Sequence, residues 1–166
     1  MSLAESGMES SIGRLEKVSL RELWPHEVRH FTPWLWANPG ELGRVLRMDL
    51  EWTDSEYPIG RYVADLIGTD RSTGDMVIVE NQLDPGDHGH LGQLVTYMAG
   101  TRRATGVGVW IAKSFSSEHI DALNSLQGLG AGWRFFAVEL RALRIGQSLP
   151  APDFRVRAHP QGWDRR

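Results

Sequence analysis

Three polar side chains stand where a strand pattern otherwise places apolar ones. Asp65 sits inside the run Val63-Ala64-Asp65-Leu66-Ile67, and Glu80 follows Met76-Val77-Ile78-Val79, with Gln82 two residues further on. A strand alternates its side chains, so Glu80 and Gln82 share one face while Val79 and Asn81 point to the other. The turn-forming stretch from Asp70 to Asp75, DRSTGD, predicts that the two strands pair as a hairpin, which brings Asp65 within reach of Glu80. Two carboxylates on a rigid sheet make a compact oxygen site for Mg²⁺ or Mn²⁺, with water and a phosphate completing the shell. The reaction such a site supports is phosphodiester hydrolysis, in which an activated water attacks phosphorus and the growing charge is stabilised. The plain alternative is a pair of acids on the solvent face of a sheet, where strand carboxylates usually lie. Their apolar surroundings weigh against it, because buried carboxylates need partners or a metal.

Other polar residues lie close in sequence. Glu56, just ahead of the Asp65 strand, is either a further carboxylate or a turn residue. His88 and His90 straddle a glycine at a predicted helix start, and no third nitrogen or sulfur ligand follows at a spacing that suits zinc. His90 either faces the same cleft, where imidazole and a helix N-terminus favour phosphate, or is an ordinary capping or surface residue. The tryptophans, Trp24, Trp34, Trp36 and Trp110 among them, read as core and interface rather than as base-stacking platforms.

The elements that must position these residues follow from period and punctuation. Ser19 to Met48 reads as short helices broken at Pro25, Pro33 and Pro39, the clearest being 39–48 with Asn38 as N-cap and proline at the first helical position. Strands are expected over 49–53, 61–68 and 76–82. Asp87 caps a helix running from His88 to about Arg102, and GVGVWIA forms an apolar strand over 106–112. Ser116 or Ser117 caps a second helix to about Leu126, and strands over 133–143 and 154–157 close the chain. Helices, antiparallel strands, then helix, strand, helix, strand predict a mixed α/β (α+β) sheet flanked by helices. Residues 1–12 read as a flexible tail and 13–160 as a single domain.

The arrangement of Asp65 followed by Glu80-Asn81-Gln82 at the end of the next strand resembles the D…ExK signature of the PD-(D/E)xK (restriction-endonuclease-like) nuclease superfamily, with glutamine in the lysine position. The helix after it carries Gln93-Leu-Val-Thr-Tyr97, similar to the QxxxY motif of the RecB-like branch, and the spacing puts Gln93 and Tyr97 on one helix face. The stretch ENQLDPGDHGHLGQLVTY is also similar to uncharacterised bacterial proteins assigned to that superfamily, and the resemblance spans residues 56–112. It implies a restriction-endonuclease-like core and a metal-dependent nuclease acting on nucleic acid, most readily DNA, as an endonuclease or exonuclease in repair or defence. Asp65 and Glu80 would then be the ligands of Mg²⁺ or Mn²⁺, with a backbone carbonyl of Asn81 or Gln82 beside them, and Gln93 and Tyr97 would orient the shell or contact a phosphate. Glu41 matches in type and rough position the outer acidic ligand of the family's first helix, or is a solvated helix-face residue. Gln82 is neutral and cannot act as a base, though its amide can orient a water; Lys113, at the end of the 106–112 strand, is a candidate substitute cation. A module of the same fold that binds nucleic acid or a protein without cutting is the alternative.

Composition agrees with an ordinary globular domain: 41% hydrophobic and 23% charged over 166 residues. With no cysteine, disulfides and thiolate metal sites are excluded, which leaves hard oxygen ligands or imidazole. A net charge of −3 is not that of a protein held to nucleic acid by bulk charge; Arg102, Arg103, Arg141, Arg144, Arg155 and Arg157 could supply a local basic groove, and the sequence leaves open whether they share a face. No apolar run reaches the roughly 18 residues of a membrane span, and the start of the chain lacks a signal-peptide pattern, so a cytoplasmic location is expected. A homodimer is compatible with cutting both strands of a duplex.

Overall fold

The computed structural model describes residues 12–128 and 132–163, so the expected N-terminal tail, Ile12 apart, lies outside them. Seven strands form one mixed sheet: β1 (Leu15–Val18), β2 (Leu50–Ile59), β3 (Tyr62–Asp70), β4 (Asp75–Asn81), β5 (Gly106–Ala112), β6 (Trp133–Ile145) and β7 (Ala151–Ala158). Their order is β1-β6-β5-β4-β3-β2, with β7 also paired to β6. β2, β3 and β4 form an antiparallel meander, whereas β4, β5 and β6 run parallel. Parallel strands carry helices on both faces and read as continuous apolar runs, and all seven residues of β5 are buried.

One face of the sheet is covered by the early helices α1 (Leu20–Leu23), α2 (Thr32–Ala37) and α3 (Pro39–Leu46), with a π-helical turn over Glu27–Phe31 leading into α2. Trp24, Phe31, Leu35, Leu42 and Leu46 pack there on Leu66, Val79, Val109 and Phe136. The other face is covered by α4 (His88–Gly100) and α5 (Ser117–Gly128), with Leu94, Tyr97 and Met98 set on Ile67, Ile78 and Trp110. Glu80 and Gln82 continue the Ile78 side of β4 and so rise on the α4 face.

Local chemistry explains the turns that fix these strands. Asp70 is buried and accepts from the backbone N–H groups of Asp49 and Ser72 (3.1 Å each) and from the Ser72 hydroxyl at 2.7 Å, which pins the β3–β4 turn that Gly74 completes at φ +77°. Asp87 caps α4 by accepting from the His90 N–H at 2.9 Å, and Ser116 caps α5 by accepting from the His119 N–H at 3.3 Å.

Several boundaries differ from expectation. β2 continues through Glu56, Tyr57 and Pro58 to Ile59, where a break was expected after Thr53. It lies at the end of the sheet order, and an edge strand accommodates proline's missing N–H. β1 was not expected at all: its residues are mostly exposed, so no apolar alternation marks it. Asn38 does stand at the start of α3, but its side chain donates back to the Trp34 carbonyl at 2.8 Å instead of capping the helix. Of the tryptophans expected in core and interface, Trp24 and Trp110 are buried, whereas Trp36 on α2 is 40% exposed.

Gly68 of β3 stands opposite Trp52, beside the bulge in β2, and a Cβ there falls 2.5 Å from the Glu51 carbonyl oxygen. Gly68→Ala therefore destabilises the fold by about 1–3 kcal/mol, which calorimetry reads as a lower Tm. Gly92→Ala, with nothing within 4 Å on α4, is neutral or stabilising by up to about 1 kcal/mol.

Candidate active site

The β3–β4 ladder ends at Leu66↔Val79, and one further step of the same register sets Asp65 opposite Glu80. The Asp65 carboxylate takes over the ladder's role there, accepting from the Asn81 backbone N–H at 2.8 Å through Oδ2. That bond holds the carboxylate against the next strand. Glu80 is 4% exposed, and its Oε2 is buried with no hydrogen-bond partner. A buried carboxylate oxygen without a donor is costly unless the group is protonated or meets a cation.

Electrostatics make the same point. Burial raises Glu80 to about 9, and Asp65, Glu27 and Asp87 add to the rise by repulsion. Asp65 is raised to about 6, first by burial and then by Glu27 and Glu56, against the lowering effect of the Asn81 N–H and of His90. Tyr97 is pushed up to about 12 by burial and by the charges of Glu80 and Asp65. The tyrosine hydroxyl therefore keeps its proton beside the carboxylates.

Glu27 is the site residue that sequence reasoning missed. Its Oε2 accepts from the Leu83 N–H at 2.6 Å, and its charge bears on both Asp65 and Glu80. It is the sole acid between Pro25 and Pro39, which is the signal available in the sequence. What brings it to the carboxylates is the π-helical turn over Glu27–Phe31, which no periodicity announces. Glu41, the expected outer ligand, lies on α3 in an exposed pair with Arg44 at 3.0 Å, and is not among the charges that shift Asp65 or Glu80.

Gln82 is 2% exposed and its amide is committed to the protein. Nε2 donates to the Pro85 carbonyl at 2.8 Å and to Asp87 Oδ2 at 3.2 Å, while Oε1 accepts from the Trp110 indole N–H at 2.9 Å. Both of its donors are used, so water orientation is left only one acceptor lone pair. Burial alone would raise Asp87, but bonds from the His90 N–H and ring and from Gln82 bring it down to about 2. His90 Nδ1 lies 2.9 Å from Asp87 Oδ2, and its charge reaches Asp65. His88 turns elsewhere, with its Nδ1 2.9 Å from Nε2 of the buried His119.

The remaining candidates divide. Glu56 lies opposite Asp65 in the β2–β3 register and has φ +52°, a left-handed backbone that is uncommon outside glycine. Tyr97 is buried and Gln93 exposed, and both line a cavity of about 230 Å³ with Tyr62, Gly92 and Thr96. Lys113 is exposed and lines a different hollow, with Lys17, Glu139 and Arg141. The expected arginine groove is largely spent on acids: Arg141 and Arg155 on Asp153, Arg144 on Glu16 and Arg157 on Glu139.

Among the described residues, no group of three or more His, Asp or Glu side chains converges closely enough to hold a metal alone. The donors that are present suit Mg²⁺ or Mn²⁺ nonetheless, because these ions commonly take one or two carboxylates and fill their shells with water and phosphate. The partnerless Glu80 Oε2 beside the half-buried Asp65 carboxylate is the observation that makes the fit.

Two solved structures share this fold. One is a crystal structure of a repair endonuclease from Pyrococcus abyssi, with a TM-score of 0.51, 21% identity, and coverage of 66% of this chain and 45% of that one. The other is an EndoMS–dsDNA complex, again with a TM-score of 0.51 and 21% identity, covering 66% of this chain and 43% of that one. The chain thus matches less than half the length of either. No family model and no curated protein sequence matches it. The fold shared with these two is a mixed sheet between helices, the architecture expected from the sequence.

Two outcomes follow from this geometry. Between the ordinary values of 3.8 and 4.5 and the raised ones of about 6 and about 9, the folded chain holds protons that the unfolded chain has released. Metal-free stability therefore falls as pH rises through that window, and Tm measured in EDTA drops accordingly. Millimolar Mn²⁺ restores stability most at the alkaline end, and Glu80→Gln flattens both effects. Gln82→Ala breaks three hydrogen bonds and opens a cavity at Trp110, which lowers stability by about 2–4 kcal/mol in denaturant unfolding.

Proposed function

We propose that this chain is a divalent-metal-dependent nuclease that hydrolyses phosphodiester bonds in DNA, in a repair or defence setting. The observation that carries the reading is the Asp65–Glu80 pair, with Asp65 half-buried and Glu80 buried with a partnerless Oε2, at the point where the β3–β4 ladder opens. The fold likeness to a repair endonuclease and to a protein complexed with double-stranded DNA supports it.

In this reading Asp65 and Glu80 hold Mg²⁺ or Mn²⁺, with a carbonyl of Asn81 or Gln82 as a further donor. When bound, the ion supplies Lewis acidity and lowers the pKa of water. Asn81 keeps Asp65 oriented through its N–H, and Glu27 and Glu56 add negative charge that favours a cation between the strands. Tyr97, held protonated, offers a hydrogen-bond donor, and Gln93 at the rim of the same cavity contacts a phosphate, as the QxxxY resemblance implies. Gln82 acts as a positioning residue: it ties Trp110 to Asp87 and so fixes the start of α4, from which His90 reaches toward Asp65.

A second reading, a fold-mate that binds nucleic acid without cutting it, is favoured by one observation. Gln82 stands where the superfamily pattern carries lysine, and its donors are occupied.

The test is cleavage in Mg²⁺ or Mn²⁺ over single-stranded, duplex, branched and mismatched DNA and RNA. Cleavage of at least one DNA substrate is expected, with Asp65→Ala and Glu80→Ala each slowing it by about 10³-fold or more, the scale on which catalytic electrostatics act. Variants that cut as fast as wild type would overturn the metal assignment, and binding without turnover would favour the second reading.

A further inference from the structure

We propose that His90 is the proton acceptor for the attacking water at the carboxylate site, held in that role by Asp87 and, through it, by Gln82. The inference rests on the reading of the chain as a nuclease and names the base that a glutamine at position 82 cannot be.

The Asp87 carboxylate receives three donors. Oδ1 accepts from the His90 backbone N–H at 2.9 Å, and Oδ2 accepts from the Gln82 amide at 3.2 Å while lying 2.9 Å from His90 Nδ1. With both oxygens already accepting, the proton of the Asp87–His90 contact sits on Nδ1. The neutral ring then keeps the lone pair of Nε2 for another partner.

The helix sets the direction. His90, Leu94 and Tyr97 stand at i, i+4 and i+7 on α4, which is one stripe of its surface. Leu94 and Tyr97 are buried against the sheet, and Tyr97 is raised by burial and then by the charges of Glu80 and Asp65. His90 is half-buried one turn ahead of Leu94; its charge reaches Asp65, and that of Asp87 reaches Glu80.

The neighbouring groups are committed otherwise. Tyr97 keeps its own proton, the amides of Gln82 and Gln93 have no basic atom, and Glu27 Oε2 is tied to the Leu83 N–H at 2.6 Å. Imidazole is the side chain most often used to take and return a proton in catalysis. As the water oxygen bonds to phosphorus, its proton passes to His90 Nε2 and the ester P–O bond breaks, leaving its electron pair on the departing oxygen. That oxygen takes up a proton and the imidazolium gives one up to solvent, so the net change is one water added across the ester.

The experiment reads tautomer, affinity and cleavage separately. In metal-free protein at about pH 8, where imidazole is neutral, long-range ¹H–¹⁵N spectra are expected to show the Nδ1–H tautomer for His90, assigned by the signals lost in His90→Gln. Asp87→Asn keeps the helix cap but shifts the ring toward Nε2–H. In Mn²⁺, on the substrate that wild type cuts fastest, His90→Ala slows cleavage by about 10²- to 10⁴-fold, and added imidazole restores about tenfold or more. DNA affinity in Ca²⁺ stays within about twofold, and Tm is unchanged because the capping N–H belongs to the backbone. His90→Ala cutting as fast as wild type while Asp65→Ala does not overturns the base and leaves the nuclease reading standing. An Nε2–H tautomer in wild type also overturns it, as does a loss that imidazole does not restore and that DNA affinity matches. A wild type that cuts none of the substrates removes the nuclease reading and the inference together.

Discussion

The structure turns on two carboxylates set side by side where β3 and β4 part, Glu80 buried and Asp65 half-buried. Like charges in a poorly solvated site cannot both ionise without a counterion, and the neighbours of Asp65 and Glu80 sharpen the conflict. Glu27 comes from the π-helical turn, Glu56 from a left-handed kink in β2, and Asp87 from the cap of α4. Asp65 is opposed by the Asn81 N–H and by the charge of His90, while the Leu83 N–H holds Glu27 and the His90 N–H holds Asp87. A proton or a hard cation settles the balance, and the choice between them depends on pH and metal.

The polar residues around the pair maintain its shape. Gln82 links the Trp110 indole to the Asp87 cap, so hydrogen bonds tie the sheet, the 83–87 loop and the first turn of α4 together. The D…ExK pattern that this stretch resembles carries a lysine at this position. A cation there would compensate charge directly, whereas the glutamine fixes the scaffold that carries His90. The His88–His119 contact and Ser116 brace the starts of α4 and α5 against each other on the same side of the sheet.

Much of this was readable from residue order. The hairpin from Asp65 to Gln82, the Asp87 cap, α4 and the buried strand over 106–112 all appear where period and turn residues put them, because each is set by local chemistry. The carboxylate pair was readable for the same reason: acids within apolar strand runs stand out. Other features depend on packing between distant segments. Glu27 reaches the site through a helical irregularity, and Gln82 finds its partners in Trp110 and Asp87 across a fold no spacing encodes. Of the arginines that read as a groove, Arg141, Arg144, Arg155 and Arg157 are paired with acids on β1, β6 and β7. Residue type alone reads Trp36 as core or interface, and its exposure on α2 places it at the surface.

The most direct test of the central claim is proton release on metal binding. Mn²⁺ titrated calorimetrically at about pH 7.5, in buffers of different ionisation enthalpy, counts the protons displaced. With Glu80 held up at about 9 and Asp65 at about 6, the account predicts release of close to one proton per ion bound, and none from Glu80→Gln. Binding without proton release, or release unchanged in Glu80→Gln, would contradict it.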